Sequence, residues 1–299
     1  TDVYTNIEIN QSVADSFYNS VEKELTYHNI DDVVNSMRVL KSVIEINAIR
    51  KAAEVAVQAF TEAMKTIEPG MYEYEVDALF DYFLRLNGCP RSAFPTIVAS
   101  GSNINTLHYE ANQREMLDGD LVMIDFGAEY SYYASDITRT LPVNGKFSEQ
   151  QATIYKIVLE AHNAVLAAAI PGESYANLFY LSRDIIIDRL LEKGIITGTK
   201  SEIISNHTYR QYIPAGLGHC IGLDVHDPYT SNYRYLEENM VFAFEPHIYL
   251  YENDSTVNQD YWGVCARIED DVLITSDGNE VLSSDLPKTI SEIEKIMDK

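Results

Sequence analysis

Residues 1–40 are polar and mixed, without a hydrophobic rhythm of their own. The pattern sharpens in "VLKSVIEINAIRKAAEVAVQAFTEAMKTI", where Ile46, Ile49, Ala53, Ala56, Phe60, Ala63 and Ile67 recur at three- and four-residue spacing. That period places them on one face of an amphipathic helix. Pro69-Gly70 ends it, and Val76, Leu79, Phe80 and Phe83 predict a second helix that closes at Gly88. The layout then returns. "SEQQATIYKIVLEAHNAVLAAAI" opens with Ser148 and Gln151 at capping-box spacing and runs to Pro171-Gly172. "ANLFYLSRDIIIDRLLEK" follows as a helix that stops at Gly194. Two copies of helix, Pro-Gly, tyrosine-bearing turn and helix predict an internal duplication.

Strand-like stretches follow each helix pair, 120–140 after the first, 240–250 and 262–275 after the second. Helices segregated from antiparallel strands define an α+β domain. Four acids interrupt these apolar stretches: Asp125, Asp136, Glu245 and Glu269. An ionised carboxylate is costly out of water unless something pairs with it. A hairpin over 121–140 that turns near Glu129-Tyr130-Ser131-Tyr132 sets Asp125 directly opposite Asp136. Opposed residues share a face with Cβ atoms about 4.5–5.5 Å apart. Glu245 and Glu269 are equidistant from Val257 and face each other in the same way across a longer loop. Two like charges that close need a cation between them.

Bulk properties narrow the partners. The 299 residues carry 46 acidic and 22 basic side chains, a net charge of −24. That surface is wrong for nucleic acid or an anionic membrane, and part of the excess can serve a metal site. No apolar run is long enough to span a bilayer, and no signal peptide opens the chain. Cys89, Cys220 and Cys265 are odd in number and lack CxxC spacing, which suits a reducing cytoplasm rather than a disulfide framework or zinc knuckle.

Candidate nitrogen ligands stand in "PAGLGHCIGLDVHDP", with His219 and His226, and His108 in "NTLHYE" is a third candidate. The glycine-rich stretch is not a dinucleotide fingerprint, because Ile221 stands where the third glycine belongs. Asp125-Phe-Gly is not a kinase signature, because no HRD loop accompanies it.

"SAFPTIVASGSNINTLHYE", "DFGAEYSYYASDITRTLPVNGKFS", "GLGHCIGLDVHDP", "FAFEPHIYL" and "ARIEDDVLITSDGNEVLS" occur in the order seen in the pita-bread metallopeptidases. The chain resembles this family over roughly residues 38–285, and its Xaa-Pro aminopeptidases and prolidases above all. The resemblance implies two pseudo-symmetric halves with a curved, mainly antiparallel sheet covered by helices. It implies Asp125, Asp136, His219, Glu245 and Glu269 as ligands of two divalent ions, with Asp136 and Glu269 bridging. Manganese is the expected metal, with cobalt or zinc as substitutes; mostly oxygen ligands with one imidazole suit a fairly hard ion. Two such ions activate water for attack on a peptide carbonyl. Glu245 is then the proton shuttle, and His226 and His108 bind substrate and stabilise the oxyanion. Arg267 orients the carboxylates from behind, and Tyr249 lines the site.

The implied activity is removal of the first residue of peptides, preferably before proline, by a homodimer. The alternatives are an Xaa-Pro dipeptidase, a methionine aminopeptidase, and a non-catalytic peptide-binding module. Two positions depart from the family pattern: Ala215 stands where a histidine is usual, and His247 where glycine is usual. Residues 41–299 are expected to form the catalytic domain. Residues 1–40 are expected to be a residual N-terminal segment, or the tail of a separate N-terminal domain.

Overall fold

In the computed structural model, which describes residues 2–5, 26–229 and 234–298, the chain enters through a short parallel pair, β1 (Asp2–Thr5) and β2 (Thr26–Asn29). Helix α1 (Asp31–Val39) follows. Residues 1 and 6–25 of the polar segment 1–40 lie outside the described residues. The first helix pair is α2 (Val43–Thr66) and α3 (Glu73–Leu86). Ser42 and Glu45 cap α2 reciprocally, satisfying two of its orphan N–H groups. The stripe read from the sequence is its buried face, with Ile49, Ala53, Ala56, Phe60 and Ala63 inaccessible to solvent.

Strands β3 (Arg91–Ser92), β4 (Ile97–Ser100), β5 (Leu121–Phe126), β6 (Ala128–Tyr130), β7 (Tyr133–Ala134) and β8 (Ile137–Pro142) complete the first half. The second half repeats it. Helices α4 (Glu149–Ala168), capped by Ser148 and Gln151, and α5 (Tyr175–Glu192) lead through short α6 (Lys200–Ser205). Strands β9 (Gly218–Cys220), β10 (Val241–Phe244), β11 (His247–Tyr249), β12 (Cys265–Arg267), β13 (Asp270–Ile274) and β14 (Asn279–Val281) follow, then α7 (Ile290–Met297).

The duplication extends beyond the helices. In the first half β5 pairs with β4 and β8, and hairpin β6–β7 interrupts the run from β5 to β8. In the second, β10 pairs with β9 and β13, and hairpin β11–β12 interrupts the run from β10 to β13. Every residue of β5 and of β8 is buried, so both faces of that sheet are covered. This is why these strands read as apolar runs rather than as alternation.

The two registers treat the sequence expectations differently. Between β10–β11 and β12–β13, His247 pairs with Arg267 and Phe244 with Asp270, so continuing either ladder sets Glu245 opposite Glu269, as expected. Between β5 and β8, Asp125 pairs with Thr138, not with Asp136. The turn lies one residue later than expected, at Ser131 and Tyr132, which both take positive φ (51° and 72°). That is the backbone of a two-residue primed turn, built here without the Asn-Gly or Asp-Gly that would announce it. A register slip of two keeps both aspartates on one face, since side chains alternate with period two. Gly127 stands at the break between the ladders, where a Cβ would lie 1.9 Å from the Ser135 carbonyl oxygen. Only glycine allows that approach.

The halves meet along β8 and β12–β13. Glu269 N–H donates to the Thr138 carbonyl at 3.1 Å. Thr140 Oγ1 exchanges 3.0 Å bonds with the Arg267 main chain. All four strand acids lie at this seam or beside it.

Candidate metal centre

Comparable positions in the two halves supply the acids. Asp125 is the penultimate residue of β5 and Glu245 directly follows β10, while Asp136 precedes β8 as Glu269 precedes β13. His219 sits in β9, opposite Ala243. Ligand atoms of Asp125, Asp136 and Glu269 lie within 4.8 Å of one another. The same holds for His219, Glu245 and Glu269, and for Asp136, His219 and His226.

Burial makes this grouping unstable on its own. It pushes Asp136 and Glu269 well above the usual carboxylate range; the charges of Glu269, Asp125, Asp271 and Glu245 add to the effect on Asp136, and those of Glu245 and Asp125 to the effect on Glu269. Burial also raises Glu245 to about 7, against the pull of Arg267. Among the described residues, the Arg267 guanidinium is the protein cation that bonds to this group. It bonds Asp125 Oδ2 and Thr138 Oγ1 (3.1 Å) and lies 3.7 Å from Glu245 Oε2. It leaves Asp125 Oδ1 and Asp136 Oδ1 buried without a hydrogen-bond partner. Buried polar atoms in folded proteins are nearly always satisfied, so two orphaned oxygens suit this cluster to bind a cation.

His219 supports the same conclusion. Its Nδ1 lies 3.1 Å from the Cys220 carbonyl, which can only accept, so Nδ1 carries the proton. Burial and the neighbouring His226 push its pKa down to about 4, keeping the ring neutral. The bare Nε2 then faces Asp136 Oδ2 at 3.2 Å. Two acceptors pointed at each other are repulsive until a cation stands between them. The donor set of four carboxylates and one neutral imidazole therefore fits divalent metal.

The remaining sequence candidates divide. His108 and His226 are exposed and line, with Asp125, Asp136, Phe94 and Pro95, a pocket of about 170 Å³. His226 packs edge-on against His219, ring centroids 4.2 Å apart. Tyr249 is fully buried instead, in an apolar cluster with Ile104, Leu121, Met123 and Cys265, and its hydroxyl points at Met123 Sδ. Its position is that of a packing aromatic and not of a cleft residue. His247 does not face the cleft either. Its Nδ1 lies 2.8 Å from the Glu245 carbonyl, and its Nε2 accepts the Ala215 N–H at 3.2 Å, so the imidazole ties the main chain of Ala215, the other unusual position, to that of Glu245.

Several supporting residues escaped the sequence reading. Thr138 donates to Glu269 Oε2 at 2.7 Å. Asp271, two positions past Glu269 and fully buried, accepts the Asp136 N–H with both oxygens (3.1 and 3.3 Å). Arg139, fully buried, pairs with Asp270 at 2.6 Å and donates to the Glu269 carbonyl at 2.6 Å. The available signal was period two: Thr138 follows Asp136, and Asp271 follows Glu269, on the same strand face.

Comparison with known proteins places this geometry. The curated Xaa-Pro aminopeptidase of Escherichia coli is 42% identical over 268 residues, covering 89% of this chain and 60% of that protein. The chain thus spans about three fifths of that relative's length. The solved structure of aminopeptidase PepP from Pseudomonas aeruginosa superposes with a TM-score of 0.93 at 35% identity, over 99% of this chain and 71% of that one. The structure of aminopeptidase P from Escherichia coli with the inhibitor Pro-Leu gives 0.93 at 39%, over 99% and 70%. The duplicated α+β halves are accordingly the pita-bread fold. The family model described as metallopeptidase family M24 matches residues 47–276, a span that holds all five candidate ligands, and the chain belongs to that family.

Proposed function

We propose that this chain carries the catalytic centre of an Xaa-Pro aminopeptidase, a dinuclear metal enzyme that removes the first residue of peptides whose second residue is proline. The observation that carries the reading is the convergence of all five ligand residues with two orphaned carboxylate oxygens at the seam of the halves. A non-catalytic module of this fold would have no need to keep that set intact. The names of the relatives supply the proline preference.

Asp125, Asp136, His219, Glu245 and Glu269 would hold two divalent ions, with manganese as the proposed native metal. Such ions, when bound, polarise the scissile carbonyl and acidify the attacking water. Glu245 takes the proton from that water and passes it to the leaving proline nitrogen. His108 and His226, on the exposed side of the pocket, donate hydrogen bonds to the carbonyl oxygen as it gains charge. Arg267 holds Asp125 and Glu245 in place from the buried side. An X-Pro bond requires a dedicated site because proline lacks the N–H that peptidases commonly grip.

The names of the relatives favour an aminopeptidase over a dipeptidase. The 170 Å³ pocket shares Phe94, Pro95, Val225 and His226 with a neighbouring cavity of about 570 Å³. The three cysteines, all free and buried, suit a reducing cytoplasm, and no helix among the described residues is long and apolar enough to cross a membrane.

The test is hydrolysis by manganese-reloaded protein of Ala-Pro-Ala, Ala-Pro and Met-Ala-Ala, with metal content measured alongside. Preference for Ala-Pro-Ala supports the proposal. Cleavage of Ala-Pro alone makes the protein a dipeptidase, and cleavage of Met-Ala-Ala alone overturns the proline reading.

A further inference from the structure

The loop 221–228 carries His226, and what anchors it comes from outside the segment matched by the family model. Asp227, next to His226, is buried and accepts from two cations upstream of that segment. Lys41 Nζ lies 3.1 Å from Asp227 Oδ2, each side chain only 1% exposed. Arg38 Nη2 bonds Asp227 Oδ1 and also Asp224 Oδ2, the latter at 2.6 Å. The loop is folded to deliver this carboxylate. Asp227 N–H donates to the Cys220 carbonyl (3.0 Å), and Asp224 N–H to Asp227 Oδ1 (3.3 Å). Gly222 passes so close that a Cβ there would stand 2.5 Å from Asp227 Oδ2.

The cationic side is equally fixed. Val39, at the end of α1, is buried with Leu236, Met240 and Phe242. Lys41 N–H donates to the Asn239 carbonyl at 2.9 Å. A buried ion pair gains little net stability over apolar residues of the same volume, because desolvation offsets its Coulomb energy. What it supplies is a defined geometry, and the residue it fixes adjoins a wall of the pocket.

We infer that Lys41 and Arg38 are positioning residues, which clamp Asp227 and so hold His226 against the Asp125–Asp136 pocket. The segment that begins with α1 is thereby part of substrate binding. The kinetic arm of this inference rests on the peptidase reading above.

The full chain is tested as Lys41→Met, Asp227→Asn and the double variant. Amide hydrogen exchange over 221–228 reports the loop directly, and KM and kcat on Ala-Pro-Ala report its use. Each single variant is expected to speed exchange in the loop and lower kcat/KM by about tenfold or more, with metal content changed less. The double variant leaves no unpaired charge between these two positions, so its unfolding midpoint recovers while exchange and kcat/KM stay perturbed. Unchanged exchange in the single variants overturns the clamp, and so does a kcat/KM that returns with the midpoint in the double variant. Should Lys41→Met fail to fold, Arg38→Gln on the more open side takes its place, with the same outcomes deciding. A wild-type protein inactive on Xaa-Pro peptides sinks the proposed function, while the exchange arm still decides the clamp.

Discussion

Replacing Thr138 by valine deletes one oxygen from behind the metal ligands and leaves the volume nearly unchanged. Thr138 is fully buried on β8 opposite Asp125. Its hydroxyl donates to Glu269 Oε2 at 2.7 Å and accepts from Arg267 Nε at 3.1 Å. A hydrogen bond to a charged partner contributes about 1.5–3 kcal/mol; the valine removes both, the one that holds Glu269 and the one that supplies Arg267 Nε with its acceptor. Partners that orient metal ligands typically account for about 10–100-fold in affinity, or about 1.4–2.7 kcal/mol, which agrees with the loss of the bond to Glu269. The variant should therefore bind manganese about 10–100-fold more weakly in competition with a chelator of known affinity. The metal-free variant should also unfold several degrees lower, at roughly 2–4 °C per kcal/mol for a chain of this size. A manganese affinity within about twofold of wild type would refute the claim that this hydroxyl positions Glu269.

Two further outcomes follow from the charge crowding at the seam. In metal-free protein the pKa of Glu245 is raised from 4.5 to about 7, so the folded state holds a proton the unfolded state has released. Stability from that group is fully present below the unfolded value and is lost as pH rises through the folded one. Metal-free protein should thus lose stability between about pH 4.5 and 7, and the gain from added manganese should grow over the same window; melting with chelator and with manganese across this range measures both, and a metal-free midpoint that climbs with pH contradicts the reading. Asp136→Asn relieves the repulsion among Asp125, Asp136 and Glu269, and should raise the metal-free midpoint while sharply reducing metal content; retained stoichiometric metal in that variant would remove Asp136 from the ligand set.

The helices were legible because each announces itself locally. Ser148 and Gln151 form the capping box their spacing predicts, and the Ile49–Ala63 stripe is buried because a 3.6-residue period leaves it one face to occupy. The Glu245–Glu269 register was legible too, since both flanking ladders keep the spacing that symmetry about Val257 requires. Asp125 and Asp136 were displaced by two because their turn uses Ser131 and Tyr132 at positive φ, a conformation that no residue type there advertises. Tyr249 shares a strand face with Glu245, yet its ring ends in an apolar cluster, because face alone does not say what covers it.

By itself the sequence determined the repeated helix pairs, the strands that follow them, and the acids and imidazoles available to a metal. Local periodicity and capping act over a few residues, and a linear reading reaches that far. Only the tertiary structure decided that β8 of one half lies against β12 and β13 of the other. That contact brings Thr138, Asp271 and Arg139 behind the ligands, and a separate one brings Lys41 to Asp227. These partners are far apart along the chain, and the bond each makes depends on how two packed surfaces meet, which no local pattern encodes.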